Sequence, residues 1–134
     1  MLARLAIAGF LLAHGAIHAG FLSKGPPPKP GAPPWPFDLE RSWLRTRLGV
    51  SAGTVRVLGI ALVAATIGGL ALAALATLGV LPAGAWGATV AVGSLASLAL
   101  LVVGLHRWLF IGIAIDLALL WVALVAAWTP DQLA

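Results

Sequence analysis

The chain has 134 residues, room for one domain, and 61% of them are hydrophobic while only 9% are charged. Soluble domains carry about 25% charged residues, so this chain lacks the polar side chains to cover a water-facing surface, and its mean hydropathy of +1.06 agrees. The absence of Cys excludes disulfides, thiolate metal sites, Cys nucleophiles and covalent c-type haem attachment.

A membrane-spanning helix needs about 20 mostly apolar residues, because the hydrocarbon core is roughly 30 Å thick. Four stretches meet that length: 2–22, 57–81, 83–105 and 108–128. The first has the outline of a signal peptide, with Arg4 near its start and small residues at Ala16, Ala19 and Gly20. His14 and His18 inside its apolar run favour a retained span. The second has Arg56 just before it and no ionisable side chain within it. Pro82 and Gly84 break the chain before the third. Between the third and fourth, only the 104–107 region can turn the chain. Asp116 is the single acid of the fourth.

The polar segment lies between the first two spans. Seven of the nine Pro fall within 23–36 (Pro26, Pro27, Pro28, Pro30, Pro33, Pro34, Pro36), a density that forbids helix and favours extended polyproline conformation. Residues 38–48 then read as a short helix, capped by Asp38 and ended by Gly49. Leu39, Trp43, Leu44 and Leu48 share one side of it, leaving Arg41, Arg45 and Arg47 for anionic lipid headgroups. The expected fold is therefore all-α: an integral membrane four-helix bundle forming one transmembrane domain over 1–134, with one interfacial amphipathic helix in loop 23–52.

Lys and Arg mark the cytoplasmic side of a bacterial inner membrane. Lys24, Lys29, Arg41, Arg45, Arg47, Arg56 and Arg107 fall on one side, and Arg4 alone on the other. This predicts a multi-pass protein of the bacterial cytoplasmic membrane with both termini outside and with loops 23–56 and 104–107 in the cytoplasm. The net charge of +4 follows from this asymmetry, and the pattern gives no reason to invoke nucleic acid. Stripes of small residues, Ala61, Ala65, Gly69, Ala73 and Thr77 in the second span and Gly87, Ala91, Gly93 and Ser97 in the third, predict close helix contacts. They leave open whether those contacts lie within one chain, in a homo-oligomer or with a membrane-complex partner. Trp35, Trp43, Trp86, Trp108 and Trp128 fall near the predicted interfaces as anchors.

Ionisable residues inside spans are costly and direct attention to function. His14 and His18 are spaced i,i+4 and share a helix face. At about 1.5 Å rise per residue, His14 and Asp116 both fall roughly 3 Å to the cytoplasmic side of their span centres. Ser94, Ser97 and Thr66 reach similar levels, whereas His106 falls in the turn. A polar pocket of His14, His18, Asp116 and Ser97 is expected. His14, His18 and Asp116 form a workable divalent-metal set. Imidazole also ligates haem, but two His on one face cannot supply opposite axial ligands to a single iron. The same groups would equally serve as a proton relay or as a structural clamp between helices. With no Ser–His–Asp arrangement, phosphate loop or paired carboxylates, no catalytic residue is assigned.

The runs Ala13-His-Gly-Ala-Ile-His-Ala-Gly-Phe21, Ser42-Trp-Leu, Val55-Arg-Val-Leu-Gly59 and Gly112-Ile-Ala-Ile-Asp116 resemble a group of small bacterial four-span proteins. In size and span count the chain is also similar to DoxX-type membrane proteins. The resemblance implies a four-helix bundle and singles out His14, His18 and Asp116; it brings no activity with it. The expectation is a small non-catalytic membrane protein, either a subunit of a larger complex or a small-ligand binder. The alternatives are a metal- or haem-binding redox or enzymatic component and a proton-coupled carrier.

Overall fold

The computed structural model describes residues 1–27, 29–31 and 33–133, so Pro28 of the Pro-rich stretch, Ala32 and Ala134 lie outside the described residues. Among the described residues all regular structure is helical. Four helices are long and apolar enough to cross a membrane: Leu2–Leu22, Ala52–Thr77, Ala85–Gly104 and Arg107–Val125. We number the α-helical segments α1 (Leu2–Ile17), α2 (Trp43–Thr46), α3 (Ala52–Thr77), α4 (Ala85–Gly104) and α5 (Phe110–Leu120). α1 tightens into a 3-10 turn over His18–Leu22, and a 3-10 turn over Arg107–Leu109 leads into α5.

The helix ends differ from the apolar runs because caps set them. α3 begins at Ala52 rather than Val57, since Ser51 Oγ accepts the Thr54 N–H at 3.1 Å. It ends at Thr77 rather than Leu81. There the Val80 N–H returns to the Leu75 carbonyl at 2.9 Å around Gly79, whose φ of +80° suits a residue without Cβ. The last span closes in a π-turn over Trp121–Val125, with the Ala126 N–H donating to the Trp121 carbonyl at 3.0 Å, so it stops short of Trp128.

The expected helix over 38–48 is interrupted. Asp38 does cap, its carboxylate accepting the Glu40 N–H at 2.9 Å, but only a 3-10 turn over Leu39–Arg41 follows. Ser42 leaves the helical region, with φ −51° and ψ 138°, and α2 is a single turn beyond it. The cause is tertiary. Ser42 Oγ donates to the Val103 carbonyl at 2.8 Å and Trp43 Nε1 donates to the Val102 carbonyl at 2.9 Å. Both carbonyls belong to the last turn of α4, where no further backbone N–H follows to bond them. Ser42 is fully buried in this role. Ser42→Ala is expected to lower stability by about 1–2 kcal/mol, read as a drop in the thermal midpoint of helical circular dichroism.

α3 is central: α1 packs on it, α4 packs along it, and α5 lies against α4. The α3–α4 crossing is closest at Gly69 and Gly93, where a Cβ on Gly69 would come within 2.6 Å of the Gly93 backbone nitrogen. Of the small-residue stripe on α3, Gly69, Ala73 and Thr77 are buried, Ala65 is half-buried and Ala61 is exposed. Four-residue spacing drifts about 40° round a helix per step, so a straight stripe cannot follow one neighbour throughout. Two apolar clusters result. One joins Ala8 and Leu11 to Leu70, Trp86, Val90 and Ala123. The other joins Phe21 to Val63, Leu100, Leu101 and Leu109.

Arg4 Nη2 donates to the Pro130 carbonyl at 3.2 Å, which ties the start of α1 to the C-terminal segment. Trp86 is 2% exposed and packs edge-on against Trp128, with ring centroids 4.7 Å apart, so it belongs to the core rather than to an outward-facing anchor set.

Candidate functional site

The four residues expected to form a polar pocket come from three helical spans. α1 supplies His14, and the 3-10 turn that continues it supplies His18. α4 supplies Ser97 and α5 supplies Asp116. Small residues bring these spans together at one level. Gly15, beside His14, lies close enough to α3 that a Cβ there would touch Leu70 at 3.5 Å. Gly69 and Gly93 bring α3 onto α4 near Ser94 and Ser97. Side chains as short as serine can then bridge helices.

The contacts are direct. His14 Nε2 lies 2.8 Å from Asp116 Oδ1. Ser97 Oγ lies 2.5 Å from Asp116 Oδ2 and 2.7 Å from His18 Nε2. His18 Nδ1 reaches the His14 carbonyl at 2.9 Å, one turn back along its own helix. The His rings meet edge to face at 5.3 Å, and Phe10 stacks on His14 with centroids 6.1 Å apart. Ser97 and Asp116 are fully buried and His18 is 2% exposed, while His14 keeps 8%. His14 is thus the edge of the group nearest the surroundings.

The layer also holds two buried hydroxyls without a hydrogen-bond partner among the described residues, Thr66 Oγ1 on α3 and Ser94 Oγ on α4. Along each helix this layer falls between the two apolar clusters: Leu11, then His14 and His18, then Phe21 on the first span, and Val90, then Ser94 and Ser97, then Leu100 on α4. Apolar packing above and below removes water as a competing partner, which strengthens each polar contact.

One ligand atom from each of His14, His18 and Asp116 lies within 4.8 Å of the others, so the set has the donors and the spread to gather a divalent cation. His14 Nε2, both ring nitrogens of His18 and both Asp116 oxygens are already in hydrogen bonds, and Ser97 sits between His18 and Asp116. Two cavities are present near the basic loop. One, of about 1250 Å³, is lined by Phe21, Lys24, Trp35, Phe37, Arg56 and Trp108 among others. The second, of about 420 Å³, lies between Arg41, Trp43, Arg47 and Leu105. Both are walled by residues other than the four of the polar group.

The three arginines expected at lipid headgroups differ in their surroundings. Arg41 pairs with Asp38 at 3.4 Å and Arg45 with Glu40 at 2.7 Å. Arg47 is exposed and makes no ion pair among the described residues. Exposed pairs of this kind contribute little stability and exchange readily for other anions. His106 stands apart from the polar group and caps the turn before α5, its Nδ1 accepting the Trp108 N–H at 3.3 Å.

Sequence spacing could place His14 and Asp116 at one depth, Ser97 at a similar level and His18 one turn away, but the role of Ser97 as the atom joining His18 to Asp116 had no signal there. Ser42 and Trp43 stood out only as part of a run and, for Trp43, as an interface anchor; their bonds to the end of α4 had no signal, since the partners are backbone carbonyls. Comparison with known proteins finds no match: no family model fits the chain, and no curated protein or solved structure is detectably similar.

Proposed function

We propose that this chain is a non-catalytic subunit of a bacterial inner-membrane complex. In this reading it is a four-helix bundle with both termini outside, and the His14/His18/Ser97/Asp116 group is its working centre. The observation that carries the reading is that three side-chain contacts join these residues to one another across three helical spans, while the two cavities beside the basic loop are walled by other residues. Such a group fixes the mutual positions of helices that apolar packing alone would let slide in lipid. The basic segment, with Arg41, Arg45 and Arg47, would lie on the anionic cytoplasmic surface and hold the chain's orientation.

The test is the mass of the particle purified from its native membrane in mild detergent, by light scattering corrected for bound detergent. The expected result is a particle heavier than one chain, containing a second copy or a defined partner. A monodisperse single chain with no partner and no bound ligand would overturn the proposal. The metal- or haem-binding alternative makes a different demand, since an ion bound at His14 Nε2 or His18 Nε2 would have to replace the hydrogen bond made there.

A further inference from the structure

We infer that the intramembrane group is a proton-binding site: it holds one proton more than neutral histidines and an ionised carboxylate supply, and that proton is shared between Asp116 and His18 through the Ser97 hydroxyl. The argument is a count of donors. Four contacts define the group: His14 Nε2 with Asp116 Oδ1, Asp116 Oδ2 with Ser97 Oγ, Ser97 Oγ with His18 Nε2, and His18 Nδ1 with the His14 carbonyl. Each contact needs one hydrogen. Neutral His14, neutral His18 and the Ser97 hydroxyl bring one each, and an ionised Asp116 brings none. Three hydrogens cannot fill four contacts.

Geometry then decides where the fourth can sit. A carbonyl only accepts, so His18 Nδ1 carries a hydrogen and its Nε2 faces Ser97. With three hydrogens, the single Ser97 proton must serve both Asp116 Oδ2 and His18 Nε2, leaving two acceptors in contact across the other bond. An extra proton on His14 does not repair this, because it would sit on Nδ1, outside the four contacts. Two seats do repair it. With the proton on Asp116 Oδ2, the carboxyl donates to Ser97 and Ser97 donates to His18. With the proton on His18 Nε2, the imidazolium donates to Ser97 and Ser97 donates to the carboxylate. The two arrangements interconvert by breaking the Asp116 O–H and Ser97 O–H bonds while forming a new Ser97 O–H and the His18 N–H bond. Net charge is zero in both.

The surroundings favour the same count. The three-hydrogen form would place an uncompensated negative charge in the apolar interior, which is costly. Among the described residues no lysine or arginine lies in the layer to offset it. The first span contributes only His14 and His18 there, α3 contributes Thr66, α4 contributes Ser94 and Ser97, and α5 contributes Asp116. Arg4 and Arg56 lie in the first turns of their helices, away from the layer. The neutral resting form, with the proton on Asp116, avoids charge separation altogether. His14, the least buried member, is the side from which exchange with the surroundings would proceed.

This inference holds whether or not the chain works within a complex, and its test uses the purified full chain in micelles. Carbon-13 NMR of the Asp116 carboxyl and nitrogen-15 NMR of the His18 ring are read together at neutral pH. The expected result is a protonated Asp116 beside a neutral His18, and an ionised Asp116 beside a charged His18 equally supports the count. Any other pairing, above all an ionised Asp116 beside a neutral His18, overturns it. Stability gives a second reading. A native state that binds one more proton than the unfolded state loses stability as pH rises. Above about pH 7 the wild-type chain should therefore lose stability with rising pH more steeply than a variant that needs no extra proton. Asp116→Asn replaces the carboxyl hydrogen by an amide N–H and fills all four contacts without the extra proton, so that variant should fold and show a flat profile. A wild-type slope equal to that of the Asn variant would also overturn the inference.

Discussion

Replacing Asp116 with alanine is expected to lower the unfolding free energy by about 2–4 kcal/mol, whereas Asp116→Asn should lose less than about 1 kcal/mol. The asymmetry follows from the contacts. Alanine leaves the His14 Nε2–H without its acceptor at 2.8 Å, in a place where water does not compete. An unmade bond at a buried donor costs about 1–3 kcal/mol. The contact to Ser97 Oγ is lost as well, and the vacated volume adds a cavity cost. Asparagine keeps an acceptor toward His14 and presents an N–H to Ser97. Both variants can be measured in mixed micelles by titrating a denaturing detergent against helical circular dichroism. Equal losses for the two would show that side-chain volume, not the hydrogen-bonded group, holds the first span to α4 and α5.

The second large effect is expected at neighbouring glycines. Gly69→Ala should destabilise the chain by about 1–3 kcal/mol, while Gly68→Ala should be neutral or slightly stabilising. A Cβ on Gly69 would come within 2.6 Å of the Gly93 nitrogen, 2.7 Å of its Cα and 2.9 Å of the Thr89 carbonyl oxygen. All three are backbone atoms, so no side chain can rotate away and α3 and α4 must separate. At Gly68 a Cβ meets nothing within 4 Å. Separation at Gly69 would also draw Ser97 away from the first span. The nitrogen-15 signal of His18 in the Gly69→Ala variant should therefore move, and should not move in Gly68→Ala. An unperturbed Gly69→Ala protein would mean that the close crossing can relax without cost.

The class of fold was legible because it depends on chain-local quantities. Four apolar runs of span length, the break at Pro82 and Gly84, and an all-helical chain need no knowledge of contacts. The cap at Asp38 and the turn at Gly49, with φ of +67°, were equally local. Setting His14 and Asp116 at one depth, with Ser97 near it and His18 one turn along, required only a constant rise per residue. Where helix ends rest on a cap or a carbonyl partner, hydropathy misplaced them. α3 starts at Ala52 because the Ser51 side-chain oxygen caps it, and the last span stops early because its final turn widens to i→i−5 bonding.

What the sequence determined by itself, then, is the number of apolar helices, the basic bias of one set of loops, and which residues are chemically unusual inside the spans. Those properties are sums over single residues. The tertiary structure decided which of them touch. It broke the expected helix over 38–48 because Ser42 and Trp43 bond better to the unpaired carbonyls at the end of α4. It buried Trp86 against Trp128 instead of leaving it outward. It also made Ser97 the link between His18 and Asp116, because glycines on three spans let their backbones approach at that level. Hydrogen bonds act over about 3 Å, so membership in the group depends on helix separation, and that separation is set by which small residues face one another across the packed interfaces.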